Sequence, residues 1–174
     1  SDDTVYSWTK DENIFESIHD MGGTDTIDLS NYDWNMVIDL NPGAVSEVGV
    51  EQERLHWDPY NSNSKTGDVF VLSWNTVIEK YIGSSGNDDV TLNTAVINDV
   101  STGAGDDVIR DVLPTDIVSA GAGADTVYIS YTTLDPDTAV SIDGGSETSD
   151  FDWIVCDLAP DTEKDFTLCR TAFV

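Results

Sequence analysis

The sequence predicts an all-β chain wound as a flattened right-handed coil of short parallel strands. Three observations predict it. Nine-residue blocks recur five times between Gly83 and Tyr128. Each block carries an Asp or Asn followed two positions later by an aliphatic residue, the period-2 alternation of a very short strand. Glycines precede that triplet in alternate blocks, where a tight turn needs positive φ.

The blocks are "GSSGNDDVT" from Gly83, "NTAVINDVS" from Asn93, "TGAGDDVIR" from Thr102, "DVLPTDIVS" from Asp111 and "AGAGADTVY" from Ala120, with Leu92 inserted after the first. Their sixth positions are Asp88, Asn98, Asp107, Asp116 and Asp125; their eighth are Val90, Val100, Ile109, Val118 and Val127. A unit this short cannot hold a pair of helices, and no 3.6-residue period runs through it. Two units make one circuit of 18 residues, so the eighth-position aliphatics point inward and stack into a narrow core. The glycine-rich blocks are the first, third and fifth. Asp88, Asp107 and Asp125 therefore fall on one edge of the coil, and Asn98 and Asp116 on the other. Asp89 alternates outward and is expected to contribute only charge.

The charge narrows the function. The chain has 34 acidic against 7 basic residues, a net charge of −27. No basic stripe is present to displace phosphate counterions, which excludes nucleic acid as a partner and disfavours an anionic membrane surface. Apolar runs such as "DVFVLSW" (Asp68 to Trp74) fall far short of the roughly 20 residues that span a bilayer. Between Tyr81 and Glu163 there are 17 acids and one basic residue, Arg110. Side-chain pairing cannot neutralise such a stretch.

Carboxylates stacked one strand spacing apart, roughly 4.8 Å, repel unless a cation lies between them. Calcium suits this geometry, because it takes 6 to 8 oxygens from carboxylates and carbonyls; magnesium holds its waters and demands a tighter octahedron. The candidate ligands are the sixth-position residues Asp88, Asn98, Asp107, Asp116 and Asp125. To these the glycine-rich turns add Gly83, Ser85 and Gly86; Thr102, Ala104 and Gly105; and Ala120, Ala122 and Gly123. The competing reading is a set of solvated Asp/Gly turns in an ordinary β-protein.

These blocks resemble the RTX nonapeptide, Gly-Gly-x-Gly-x-Asp-x-U-x, although Ser84, Thr102 and Ala120 replace glycines of that pattern. The resemblance implies a parallel β-roll that folds on calcium, carried by bacterial proteins exported through a type I system. It narrows further forward. "DTVYSW" (Asp3 to Trp8), "SIHDMGGTDTIDLSNY" (Ser17 to Tyr32), "IDLNPG" (Ile38 to Gly43), "SEVG" (Ser46 to Gly49) and "TVIEKYIGSSGND" (Thr76 to Asp88) follow the order found in the carboxyl-terminal domain of serralysin metalloproteases. By that similarity Asp20, Gly22, Gly23 and Asp25 form a further calcium turn, and Asp3 belongs to another.

The same comparison argues against catalysis. A serralysin peptidase needs a His-Glu-x-x-His zinc helix and a third histidine. This sequence has only His19 and His56, in neither setting. It has no Gly-x-Ser-x-Gly elbow and no phosphate loop.

Two regions depart from the family. Glu51 to Gly67 reads as a polar insertion carrying Arg54, Trp57 and Tyr60, residue types that dominate interface hot spots. It serves as a partner contact or packs on its own sheet. After Tyr128 the chain is shorter than the family's terminal sandwich, with a degraded turn at "SIDGGSETSDFDWIVCD" (Ser141 to Asp157) and a cap that shields the open end of the coil. Cys156 and Cys169 lie 13 residues apart there, as a disulfide or as two free thiols.

The expectation is one continuous module. An irregular amino-terminal β segment (1–80, with the insertion at 51–67) leads into the calcium β-roll (81–130) and a carboxyl-terminal cap (131–174). Its expected function is a calcium-binding, non-catalytic structural or interaction module of an exported bacterial protein, outside the cytoplasm or at the cell surface, docking on a protein partner or larger assembly. The alternative is the secretion and folding domain of a serralysin-type metalloprotease or another type I secreted enzyme.

Overall fold

The computed structural model describes residues 2–10, 12–49, 68–131, 141–145 and 152–158. In chain order its strands are β1 (Val5–Ser7), β2 (Phe15–Ile18), β3 (Thr26–Asp28), β4 (Met36–Asp39), β5 (Val45–Val48), β6 (Asp68–Leu72) and β7 (Lys80–Ile82). These are followed by β8 (Asp88–Thr91), β9 (Asp99–Ala104), β10 (Val108–Val112), β11 (Ile117–Ala122), β12 (Thr126–Tyr131), β13 (Ser141–Asp143) and β14 (Trp153–Leu158). The described residues contain no helix, hence none long and apolar enough to cross a membrane.

Successive strands alternate between two sheets, as a flattened coil requires, except that β4, β5 and β6 follow one another in one sheet. One sheet runs β1-β3-β7-β9-β11-β13 and the other β14-β12-β10-β8-β4-β5-β6-β2. Every pairing is parallel except β4 with β5 and β5 with β6. The registers state the circuit length directly. Val100 lies opposite Val118 and Ile109 opposite Val127, each one 18-residue circuit apart, whereas Val90 lies opposite Ile109 across 19. The extra residue is Leu92, which is fully buried rather than extruded.

Inward-facing side chains build the core. Val90, Val100, Ile109, Val118 and Val127 are all buried, one from each block, so the eighth-position aliphatics do stack. Next to them β10 carries a bulge: the spacing from Ile109 to Val112 is matched on β12 by Val127 to Ile129. Asp111 absorbs the additional residue at φ 59°, a left-handed conformation that Asp tolerates better than most residues. Val112 is thereby returned to the interior.

The segment before residue 81, expected to be irregular, is largely a continuation of the coil. β3 pairs with β7 across 54 residues and β4 pairs with β8 across 52, so neither sheet is interrupted at residue 80. Between these rungs the antiparallel β4–β5–β6 meander and the edge strand β2 widen one sheet. Trp8 stacks on Phe70 with ring centroids 5.5 Å apart, and with Ile14, Ile18 and Leu72 they bring large side chains to that end of the core.

Candidate metal centre along the turn edge

The turns between sheets place the polar side chains in columns. The sixth-position residues Asp88, Asn98, Asp107, Asp116 and Asp125 are buried, each at 1% exposure or less. They lie on two edges. On the first, the backbone N–H of Asp88 donates to Asp107 Oδ1 (2.8 Å), that of Asp107 to Asp125 Oδ1 (2.9 Å) and that of Asp125 to Asp152 Oδ1 (3.1 Å). On the second, the N–H of Asn98 donates to Asp116 Oδ1 (2.8 Å). Successive carboxylates thus meet a backbone donor of the neighbouring rung on one oxygen, which relieves part of the repulsion expected of a bare stack.

A second column runs beside the first with opposite polarity. The N–H of Asn87 donates to Asn35 Oδ1, that of Asp106 to Asn87 Oδ1 and that of Ala124 to Asp106 Oδ1, each at 2.9 Å. The same pair of opposed bonds joins the first two turns of the chain. Thr4 N–H donates to Asp25 Oδ1 (2.9 Å), and Thr24 N–H donates to Asp3 Oδ1 (2.8 Å). Asp25 and Asp3 therefore stand on adjacent rungs, one in each of the two columns. Gly22 and Gly23 form the turn between their rungs, and Gly23 at φ 125° lies against the Asp2 carbonyl. Asp20 instead accepts from the Tyr6 hydroxyl (2.7 Å), whose pKa burial and that carboxylate push up to about 12.

Glycine is needed in these turns because adjacent circuits touch through their backbones. Gly105 and Gly123 have φ of 120° and 130°, and a Cβ on either would run into the carbonyl of Gly86 or Gly105 respectively. Other positions meet the same constraint by hydrogen bonding. Gly105 N–H donates to the Ala122 carbonyl (2.8 Å), Thr102 Oγ1 donates to the Ala120 carbonyl (2.8 Å), and Ala104 N–H reaches the Ser84 carbonyl at 3.4 Å. Gly83 and Gly86 lie against the Thr102 and Trp34 carbonyls, while Ser85 N–H donates to Tyr32 (3.1 Å).

The carboxylates differ in how fully the protein satisfies them. Asp107 Oδ2 and Asp25 Oδ2 are buried with no hydrogen-bond donor. Burial pushes Asp107 up to about 7; the Asp88 backbone N–H and the Thr102 hydroxyl hold it down, and the Asp88 and Asp125 carboxylates raise it further. Asp25 is likewise raised by burial, held down by Thr4 N–H, and raised by Asp20, Glu79 and Asp3. Asp116, in contrast, accepts from Asn98 N–H and Asn98 Nδ2 (3.0 Å) on Oδ1 and from Leu113 N–H (2.8 Å) on Oδ2. Asn98 Oδ1 itself is buried without a partner.

A carboxylate oxygen without a donor, next to stacked carbonyls in a glycine cradle, is a hard-oxygen setting that suits a divalent cation. Among the described residues no three His, Cys, Asp or Glu side chains converge on one point. A cation at Asp107 or Asp25 would draw on backbone oxygens as well. Carbonyls already accepting one hydrogen bond, such as those of Ala120 and Ala122, keep a second lone pair for this.

Three placements were not read from the sequence. Asp89 does more than contribute charge: it holds Arg110 in a two-point ion pair (2.8 and 3.0 Å), and Arg110 also lies 5.2 Å from the Tyr128 ring centre. Glu79 occupies a sixth position between Asp25 and Asn98 and accepts from Asp25 N–H (2.9 Å). Its signal was its place nine residues before Asp88, masked by Glu standing for Asp and Tyr81 for an aliphatic. Asp152 continues the first edge 27 residues after Asp125, nine more than one 18-residue circuit, so the repeat spacing does not point to it. Arg54, Trp57 and Tyr60 of the insertion, and Cys169, lie outside the described residues.

Comparisons with known proteins agree with this architecture. Residues 2–159 match the model of the family described as peptidase M10 serralysin C terminal. Serralysin C and serralysin B of Dickeya chrysanthemi are each 40% identical over 72 residues, covering 41% of this chain and 12% of the relative. The aligned part is thus about an eighth of each curated relative's length. The chain belongs to the serralysin carboxyl-terminal family, the non-catalytic part of those peptidases.

Proposed function

We propose that this chain is a calcium-binding, non-catalytic structural module of an exported bacterial protein, and that calcium completes its fold. The observation that carries the reading is Asp107: wholly buried, one oxygen without a donor, and flanked by the carboxylates of Asp88 and Asp125. An isolated buried carboxylate is costly, and a bound cation removes that cost while contributing its binding free energy to folding. Asp107 would hold the ion with carbonyls of the neighbouring turns, and Asp25 would hold another with the turn at Gly22 and Gly23.

Export, and a position outside the cytoplasm, are supported by the likeness to serralysins. Within this reading the module is either an interaction piece that docks on a larger assembly or the secretion and folding domain of a longer enzyme. The family match, which is to the carboxyl-terminal part of a peptidase, favours the second. Circular dichroism with EDTA and then with millimolar calcium tests the calcium reading. A gain of β signal with calcium is expected; identical β-rich spectra in both conditions would sink it.

A further inference from the structure

The turn that opens the repeat, residues 83–87, differs from those that follow in what surrounds its aspartate. Asp88 Oδ2 accepts from the Ser84 backbone N–H at 2.9 Å and from the Tyr81 hydroxyl at 3.1 Å. Its Oδ1 lies 2.9 Å from the Ser84 hydroxyl. Oδ2 therefore has two protein donors and Oδ1 shares the single hydrogen of the Ser84 hydroxyl with the Trp34 carbonyl, whereas Asp107 Oδ2 faces no donor. Ser84 stands where the later glycine-rich turns have Gly103 and Gly121, and Tyr81 stands where the neighbouring rungs have aliphatics.

The turn is also anchored on the chain that precedes it. Ser84 Oγ lies 2.8 Å from the Trp34 carbonyl, Ser85 N–H donates to the Tyr32 carbonyl and Asn87 N–H donates to Asn35 Oδ1. Gly86 is pressed against the backbone of Trp34. Tyr32 and Trp34 pack ring to ring, 5.2 Å between centroids, and Tyr32 is buried. The turn of Asp107 is held only by the repeat itself: Asp106 N–H donates to Asn87 Oδ1, Thr102 Oγ1 to the Ala120 carbonyl and Gly105 N–H to the Ala122 carbonyl. Its neighbours on both sides are other glycine-rich turns of the repeat, Gly86 before it and Gly123 after it.

We propose that the Asp88 turn closes without a metal ion, on Ser84, Tyr81 and the Tyr32–Asn35 segment, and that the first cation of this edge is held at Asp107. The rungs from β4 to β8 then form a metal-independent template on which the cation-dependent turns of this edge stack. This rests on the calcium reading above, and it divides the roll at a defined point between β8 and β10.

Hydrogen exchange of the full chain, followed by mass spectrometry in EDTA and in millimolar calcium, tests the division. Peptides from 68–92 are expected to be protected in both conditions, and peptides from 108–131 only with calcium. Native mass spectrometry with calcium as the probe then counts ions. Asp88→Asn and Ser84→Ala are expected to bind as many ions as the parent chain, and Asp107→Asn at least one fewer. Loss of an ion in Asp88→Asn or Ser84→Ala, or protection of 68–92 only with calcium, would overturn the template while leaving calcium binding intact. A parent chain that binds no calcium would overturn both readings.

Discussion

The Asp88 backbone N–H donates a 2.8 Å hydrogen bond to Asp107 Oδ1 across 19 residues, one circuit of the coil. This bond couples each turn to the next, since the same carboxylate that we propose as a cation ligand also fixes the register of the rung before it. Backbone pairing and side-chain electrostatics therefore act on one group, and its titration reports on the fold.

Acidity should stabilise the metal-free chain. Asp107 is raised from the ordinary 3.8 to about 7, and Asp88 and Asp25 are raised by burial as well. A carboxyl raised in the folded state binds more protons there than when unfolded. Its contribution is fully present below about pH 4 and is lost as the pH rises towards 7. In EDTA the melting temperature is expected to fall from pH 5 to pH 8, by about 2–4 °C for each 1 kcal/mol lost. With calcium the trend should reverse, because ligand carboxylates must be deprotonated. Thermal melts across both series check it, and a metal-free midpoint that rises with pH would contradict the burial of Asp107.

Gly105→Ala should destabilise the chain by more than about 1 kcal/mol. The new Cβ would combine a φ of 120° with collision against the Gly86 carbonyl, and neither can be relieved by rotating a side chain. Urea unfolding in calcium measures the change; a variant as stable as the parent would show that the circuits are not in backbone contact there.

Asn98→Asp is expected to cost about 1–3 kcal/mol, although it moves the sequence closer to the repeat pattern. The Asn98 amide donates to Asp116 Oδ1 at 3.0 Å and to the carbonyls of Asn93 and Val96. A carboxylate there loses all three bonds and faces Asp116 as a like charge. Chemical denaturation in EDTA should show a lowered midpoint.

Arg110→Ala should change stability by no more than about 1 kcal/mol. Its ion pair with Asp89 is well aligned, but both side chains are about two-fifths exposed, so solvent screens the attraction. Added salt should leave the difference from the parent small. A larger loss would mean that packing on Tyr128 carries the effect.

How far the sequence reached follows from the range of its signals. The nine-residue spacing is a property of neighbouring residues, so burial of Val90 and Ile109 and the shared edge of Asp88 and Asp107 could be read from it. Glu79 kept the spacing but changed residue type. Asp25 lies 54 residues before its rung partner, across loops of arbitrary length, and no local pattern carries that distance.

By itself the sequence determined the all-β coil, its circuit length and which carboxylates share an edge, because a repeat that alternates turn and strand leaves little other way to bury its aliphatics. Only the tertiary structure decided which carboxylates are satisfied by protein. Asp88 and Asp107 occupy the same position in their blocks. They differ because Tyr81, Ser84 and the segment around Trp34 surround the first, whereas the second has only its own repeat for neighbours. Hydrogen-bond donors act over about 3 Å, and which ones come that close is settled by how the circuits stack.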